Sequence, residues 1–178
     1  MPEAPDLTGL RGVGPQLAAR LARIGIHSLQ DLLFHLPLRY QDRTRVTPIA
    51  ALRPGAEAVI EGEVLAADIV LGRRRSLLCK LADRSGVPTL RFFHFSAAQQ
   101  RALVRGLRLR CCGEARSGPA GIELVHPEYR ALDPAAPIDL EDRLTPIYPA
   151  GEGLTQPRLR QLIGQALALA ATRHPELL

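Results

Sequence analysis

The fold of this chain is decided by the stretch AVIEGEVLAADIVL, residues 58–71, where side-chain polarity begins to alternate with a period of two. Such alternation is typical of a β-strand, because successive side chains point to opposite faces of a sheet. Gly62 lies inside this stretch, and a glycine within a strand often marks a tight bend of a small barrel. We therefore predict one long strand that bends near Gly62.

The same alternation continues downstream of this strand. It predicts further strands in the segments SLLCKLAD, VPTLRFFHF, LRLRCCGEA and GIELVHP, and a helix in AAQQRALVRG between the third and fourth strands. Three strands, one helix and two strands is the order of an OB-fold, a five-stranded and partly open barrel. The predicted fold class is α+β: an OB-fold barrel flanked by an N-terminal helical segment and a C-terminal helix.

The segment before the barrel predicts two short helices, in LRGVGPQLAARLARIGIHSLQDLLFHLP. Pro15 suits the first turn of the first helix, where its missing N–H is harmless, and Gly25 ends that helix. Ser28 and Asp31 have the spacing of a capping box for the second helix. The segment that follows, LRYQDRTRVTPIAALRPG, is predicted to be an irregular connector.

A C-terminal helix is predicted from an apolar face at helical spacing. That face carries Leu159, Leu162, Ile163, Ala166 and Leu167. The predicted domains are a helical segment with its connector at 1–56, an OB-fold barrel at 57–130, and a linker with the C-terminal helix at 131–178.

Composition narrows the class of protein. A hydrophobic content of 46% argues against wholesale disorder. No run approaches the length of a membrane span, and the N-terminal MPEAPDLTG lacks the pattern of a signal peptide. We expect a cytoplasmic protein with no membrane partner. Cys79, Cys111 and Cys112 have no CxxC spacing, which favours buried reduced thiols over a metal site.

The positive charge is concentrated in the first two thirds of the chain. The formal net charge is +5, to which residues 1–56 contribute 7 basic and 4 acidic groups, residues 57–130 contribute 12 and 8, and residues 131–178 contribute 4 and 6. An excess of basic groups on one part of a protein favours a polyanionic partner there.

An OB-fold binds oligonucleotides on the face of its second and third strands, between the loops that join strands one to two and four to five. The first of these loops is predicted to hold Arg73, Arg74 and Arg75, and the second Arg116. The third strand places Arg91, Phe93 and Phe95 on one face, and Leu90, Phe92 and His94 on the other. Aromatic rings stack on bases and arginines contact phosphates, so these residues are the candidate DNA-binding site.

Two alternatives remain open at this point. A run of arginines at a hairpin tip is also typical of a solvated turn. Phe93 and Phe95 could instead be covered by the N-terminal helices.

A second candidate contact is the glycine turn in LRGVGPQLAARL, which has the spacing of the hairpin in a helix-hairpin-helix element. Gly12 and Gly14 would let backbone N–H groups at a helix start approach a phosphate. The same turn could instead dock the helix against the barrel.

Several longer motifs resemble the N-terminal region of RecG, a family of bacterial ATP-dependent helicases of branched DNA. They are LRGVGPQLAARLARIGIHSLQDLLFHLPLRYQDRT, LRFFHFSAAQ, HPEYR and LTPIYPAGEGLTQPRLRQLI, and the resemblance runs from about Leu7 to Ala170. It implies a wedge domain built on an OB-fold and joined to two RecA-like motor domains. Its expected partners are replication forks, Holliday junctions and single-stranded arms, and its expected roles are in DNA repair and recombination.

The resemblance also implies a role for Phe93, which occupies the place of an aromatic residue that caps the end of a duplex arm. Some members carry a second aromatic residue four positions later, where this chain has Ala97. Phe95 could take that second role.

The chain carries no GxxxxGK[ST] phosphate loop, so we expect a fragment that binds DNA as a monomer, without a cofactor and without hydrolysing ATP. The resemblance assigns ATP and magnesium to the full-length parent, and implies a location at the bacterial nucleoid. Two other functions are compatible with the sequence. Catalysis could use Glu61 with Glu63, or His126 with Glu128. The barrel could also be a protein-interaction module without direct DNA binding.

Overall fold

A computed structural model describes residues 7–135 and 144–173, and it divides into two compact units. The first unit comprises Met1–Gln41 together with Thr145–Leu178, and the second comprises Asp42–Leu144. Part of the predicted linker, at 136–143, lies outside the described residues. The predicted limits of the barrel, 57–130, lie within the second unit, and the predicted domain bounds stay a prediction.

The elements of the first unit are helices and one small sheet. They are a 3₁₀ turn at Leu7–Gly9, α1 at Pro15–Arg23, α2 at Leu29–Leu33, β1 at Arg39–Gln41, β8 at Thr145–Ile147 and α4 at Gln156–Arg173. The elements of the second unit are a 3₁₀ turn at Ile49–Ala51, β2 at Glu57–Val70, β3 at Ser76–Ala82, β4 at Thr89–Phe92, α3 at Ala97–Ala102, β5 at Arg108–Gly118, β6 at Gly121–Val125 and β7 at Glu128–Ala131.

The N-terminal helices have the boundaries that local chemistry predicts. Pro15 is the first residue of α1, and the chain leaves this helix through Gly25 with a φ of +81°. Ser28 caps α2: its Oγ accepts from the Asp31 amide at 3.1 Å, while the Asp31 carboxylate accepts from the Ser28 amide at 2.9 Å. The bond that the carboxylate accepts from the His27 amide, and then the bonds it accepts from Ser28, hold the pKa of Asp31 below its usual value. The predicted capping box is confirmed.

The core of the first unit joins the N-terminal and C-terminal segments of the chain. Leu21 and Leu32 from the first two helices are fully buried in one cluster with Leu159, Leu162 and Ala166 from α4. Leu167, predicted on the same apolar face, is 48% exposed, so that part of the prediction was wrong. It lies one position beyond the buried stripe.

The second unit is a closed mixed barrel. It closes because β2 pairs with β5 along its first half and with β3 along its second half. Residues 57–63 of β2 pair with β5, and residues 63–70 pair with β3. The change of partner falls at Gly62, where an added Cβ would lie 2.6 Å from the carbonyl oxygen of Ala82. Only a residue without a side chain allows the strands to approach this closely. The bend predicted near Gly62 stays a prediction.

The remaining strands complete the barrel. β3 pairs with β4 in antiparallel fashion, β4 with β6 in parallel fashion, and β6 with the end of β5. β7 was not predicted as a separate strand; it pairs with Leu109–Cys112 of β5. The strands enclose a core that includes Ile60, Val64, Leu77, Leu81, Leu90, Phe92, Leu109 and Leu124. The predicted fold class, an OB-fold barrel flanked by helices, is confirmed.

The three cysteines are buried, as predicted, and form no disulfide with one another. Burial raises the pKa of Cys79 to about 11, and it raises the pKa of Cys111 still further. Cysteine reacts as the thiolate, so these two side chains behave as small apolar core residues.

Two strand predictions need correction. Residues 39–41 were predicted to lie in an irregular connector, but they form β1 and pair with β8 in a two-stranded sheet. The third barrel strand was predicted over 87–95, but β4 ends at Phe92.

Candidate nucleic-acid interface

The loop between β2 and β3 presents three consecutive arginines to solvent. Arg73, Arg74 and Arg75 are all exposed, and they follow Gly72, which has open space around its Cα. The position of this loop between the first and second barrel strands is the one predicted from the sequence. Three cations on one exposed loop are suited to contact phosphates.

The three phenylalanines at the end of β4 and just after it occupy different environments. Phe92 is 3% exposed and belongs to the barrel core, where its ring meets Tyr129 edge to face at 5.6 Å between centroids. Phe93 is half-buried, and Phe95 is half-buried with its ring packed against the core cluster. The prediction that Phe92 and Phe93 point to different surroundings is therefore confirmed.

The alternation predicted beyond Phe92 was wrong. It placed His94 with Phe92 and Phe95 with Phe93, but His94 is exposed and Phe95 packs on the core. The physical reason is that β4 ends at Phe92, so the period of two no longer applies to the residues that follow.

Two arginines lie over these rings and join the loop to the end of β4. The Arg75 guanidinium lies 4.8 Å from the centre of the Phe95 ring, and the Arg91 guanidinium lies 5.9 Å from that of Phe93. Both distances are in the range of cation–π contacts. We call the resulting set the arginine–aromatic surface: Arg73, Arg74, Arg75, Arg91, Phe93 and Phe95.

Arg91 contributes to this surface as a paired residue. Its Nε and Nη2 each lie 3.0 Å from the Glu123 carboxylate on β6, and its Nη1 donates to the Ser76 hydroxyl at 3.3 Å. The Arg91 side chain is only 18% exposed. Its charge is already compensated, so Arg91 is better placed to support the Phe93 ring than to hold a phosphate.

Arg116 does not lie in a loop, contrary to the prediction. It belongs to β5, which continues to Gly118, and it pairs with Glu123 of β6 in the strand register. The tight connection is made by Pro119 and Ala120 alone. The Arg116 side chain is 57% exposed and forms a 3.4 Å ion pair with Glu114, a contact that solvent screens strongly.

The glycine turn before α1 docks on α4, within the first unit. Gly12 has a φ of +81°, its carbonyl accepts a hydrogen bond from the Arg158 guanidinium, and the Arg11 amide donates to the Gln165 side chain at 2.8 Å. Gly14 is the N-cap of α1, without a side-chain cap, and is exposed. These contacts are with α4, so docking of the turn against the barrel, the alternative left open by the sequence, stays a prediction. A DNA contact by Gly12 and Gly14 stays a prediction.

A residue that the sequence did not assign to this site lies beside Phe93. The Phe93 amide donates to Nε2 of His126 at 3.0 Å, and the two rings are 6.0 Å apart. The signal that could have pointed to it is the HPEYR motif, where a histidine precedes a proline at the end of a strand.

Two of the three carboxylates considered for acid–base catalysis, Glu61 and Glu128, are engaged in ion pairs. Glu61 accepts from Arg110 at 2.6 Å across the β2–β5 pair, and Glu128 accepts from Arg43 through both carboxylate oxygens, at 2.9 and 3.0 Å. Within residues 7–135 and 144–173, no three His, Cys, Asp or Glu side chains come together as a metal site. In the same part of the chain, every helix is too short or too polar to cross a membrane.

Comparisons with known proteins point to a single family. The family model described as the RecG wedge domain matches residues 6–170. The chain is 48% identical over 170 residues to the ATP-dependent DNA helicase RecG of Escherichia coli K12, covering 96% of this chain and 24% of that protein. It is 49% identical over 167 residues to the RecG of Haemophilus influenzae, covering 94% of this chain and 24% of that protein.

A solved structure of RecG bound to a three-way DNA junction has the same fold, with a TM-score of 0.71, 23% identity, and coverage of 93% of this chain and 23% of that chain. The chain thus spans about a quarter of the length of the relatives it matches. The family model covers nearly all of the sequence, and the resemblance read from its motifs is confirmed. The chain belongs to the RecG wedge domain family.

Proposed function

We propose that this chain is the DNA-binding wedge of a RecG-type helicase, and that it engages branched DNA at the arginine–aromatic surface. The observation that carries the proposal is the placement of the Arg75 guanidinium 4.8 Å from the centre of the Phe95 ring. That contact brings the arginine loop and the aromatic segment after β4 into one surface. An OB-fold that binds nucleic acid needs both on the same side of the barrel.

The two parts of the surface would act on different parts of the DNA. Arg73 and Arg74 are exposed in the β2–β3 loop and would contact phosphates, and such contacts strengthen binding to DNA of any sequence. Phe93 would stack on a base pair that a branch point leaves uncovered. Base–aromatic stacking contributes about 1–3 kcal/mol, and an unbranched duplex offers no free base face in its interior.

A ring that covers the last base pair of an arm also favours separation of the strands at that point. In the wedge, Phe93 would replace the stacking that a base pair loses when its neighbour opens. Phe95, packed on the core and held by Arg75, is less free to stack on a base. We therefore assign the capping role to Phe93 and a supporting role to Phe95.

We assign the remaining properties to a full-length protein. The curated relatives are named ATP-dependent DNA helicases, so ATP and magnesium would be bound by the motor domains of that full-length protein. Repair and recombination at forks and junctions would be the work of that full-length protein at the nucleoid. The wedge would act as a monomer alongside its motor domains.

The experiment compares two double variants in a titration with a labelled fork and with a linear duplex. Arg73→Ala/Arg74→Ala removes two charges from the loop, and Arg101→Ala/Arg105→Ala removes two exposed charges from the region of α3. The slope of log K against log salt should become shallower by about 0.9 for each lost contact with duplex DNA in the loop variant alone. Equal slopes in the two variants would mean that only overall charge matters.

A protein-binding role is the second candidate, favoured by one observation in the first unit. Four large apolar side chains at alternate positions are 60–71% exposed: Phe34, Leu36, Leu38 and Tyr40. Exposed apolar groups of this size often mark protein contacts. If neither fork nor single-stranded DNA binds at low salt, this role replaces DNA binding.

A further inference from the structure

His126 stands at a sharp break between two strands. β6 ends at Val125, β7 begins at Glu128, and both pair with β5. His126 has a φ of +47°, and among the described residues no other non-glycine residue has a positive φ. Backbone strain of this kind persists only where the surroundings enforce it, and it is concentrated at functional sites.

The break allows His126 to bind the backbone on both sides of Phe92, the last residue of β4. Its backbone amide donates to the Arg91 carbonyl at 2.8 Å, and its Nε2 accepts from the Phe93 amide at 3.0 Å. The last paired residues of the β4–β6 ladder are Arg91 and Val125. The imidazole thus supplies an acceptor for the Phe93 amide beyond the point at which β6 has ended.

The ring contacts fix the same segment. The His126 ring centroid lies 6.0 Å from Phe93, 5.9 Å from Phe92 and 5.8 Å from His94. The Phe93 ring is therefore in contact with His126 as well as with the Arg91 guanidinium. An aromatic side chain held in this way loses little freedom when it binds a base.

We propose that His126 is a positioning residue, which holds the backbone of Phe93 so that its ring is oriented for stacking at a DNA branch point. The proposal rests on the proposed function of Phe93. It assigns to His126 no contact with DNA: the imidazole acts through Phe93.

The arrangement requires a neutral imidazole. The backbone N–H is the donor, so Nε2 must be unprotonated and the ring proton must reside on Nδ1. Partial burial, and next the neighbouring His94, lower the pKa of His126 below its usual 6.5, which keeps the acceptor available at neutral pH. On acidification, protonation turns Nε2 into a donor and breaks the bond.

Other charged groups on the neighbouring elements are already paired. Arg91 on β4 is paired with Glu123 on β6, and Glu128 on β7 is paired with Arg43. Tyr129, also on β7, has a pKa raised by burial and remains neutral as the pH falls. The His94 ring stacks on His126 at 5.8 Å between centroids, and His94→Gln is the control for its contribution.

The first readout follows the Phe93 amide resonance of the 178-residue chain by NMR between pH 5 and pH 8, without DNA. We expect the amide to shift with a midpoint below 6.5 in the parent and in His94→Gln, and to be independent of pH in His126→Gln and His126→Leu. Absence of the shift in the parent, or its persistence in both His126 variants, would overturn the proposal.

The second readout is fork binding at neutral pH by the two His126 variants. Glutamine can place an acceptor near the position of Nε2, whereas leucine cannot, and both carry the same backbone cost at a positive φ. We expect His126→Leu to bind the fork about two- to tenfold more weakly, the range for loss of one hydrogen bond, and His126→Gln to retain most of the affinity. Equal affinities of the two variants would contradict the positioning role.

A parallel titration with Phe93→Ala separates the two ideas. If Phe93→Ala binds the fork as well as the parent, the proposed function of Phe93 fails, while the amide titration still decides whether His126 holds this backbone. If Phe93→Ala weakens binding and His126→Leu does not, Phe93 stacks without this support and the positioning role fails.

Discussion

Replacing Phe92 and Phe93 separately by alanine should give opposite results, although the two residues are adjacent. Phe92 is 3% exposed in the barrel core, so its truncation leaves a cavity. Such changes typically cost about 3–5 kcal/mol of folding free energy. At about 2–4 °C for each kcal/mol in a protein of this size, the melting temperature of Phe92→Ala should fall by roughly 6–20 °C.

Phe93 is half-buried at the surface, and its truncation opens no enclosed cavity. Full burial of a phenylalanine contributes about 1.5–3 kcal/mol, so loss of a half-buried ring should cost about 1–1.5 kcal/mol of stability. Fork binding should weaken by about 1–3 kcal/mol, if the ring stacks on a base. At 1.4 kcal/mol for each factor of ten, that loss corresponds to roughly a five- to 150-fold change in Kd.

The assay is a thermal melt beside a titration with a labelled fork and with a linear duplex, at a temperature where both variants are folded. Phe93→Ala should lose fork affinity, retain duplex affinity and melt close to the parent. Phe92→Ala should melt early and, where folded, bind the fork normally. The reasoning is refuted if Phe93→Ala melts as early as Phe92→Ala while its affinity for the fork is unchanged.

Two further predictions concern the fold. Gly62→Ala should destabilise the second unit by about 1–3 kcal/mol in a denaturant titration, because the new Cβ would lie 2.6 Å from a backbone oxygen. The control, Gly72→Ala, should be nearly neutral, because nothing lies within 4 Å of the new Cβ there. Ser28→Ala should cost the first unit about 1 kcal/mol through loss of the N-cap, and Ser28→Thr, which keeps the hydroxyl, should recover most of it; equal stabilities for the two Ser28 variants would contradict the capping role.

Features set by local chemistry were predictable from the sequence. The capping box at Ser28 depends on residues three positions apart. The close approach of β2 and β3 at Gly62 depends on the absence of a side chain there. The order of strands and the single helix followed from periodicity and turn residues, and they were enough to identify the barrel. Burial of Phe92 followed from the same period of two.

Features set by pairing between distant segments were not predictable. β1 and β8 have three residues each, too few to show a period, and they are strands only because they meet each other. Arg91 was predicted to contact phosphates. The sequence alone does not show that the β4–β6 register brings Glu123 to within 3.0 Å of Arg91. The position of His126 beside Phe93 depends on the same register.

The β1–β8 pair has a mechanical consequence for the barrel. Gln41 is paired with Thr145, so both covalent connections to residues 42–144 leave from neighbouring positions of one small sheet. Tension applied between the two ends of the chain first meets the packed core of α1, α2 and α4. It next reaches Arg39 and Ile147, which are paired with each other, and would have to unzip the sheet one pair at a time. Until that sheet opens, the first unit carries the load and the inserted barrel keeps its shape under tension.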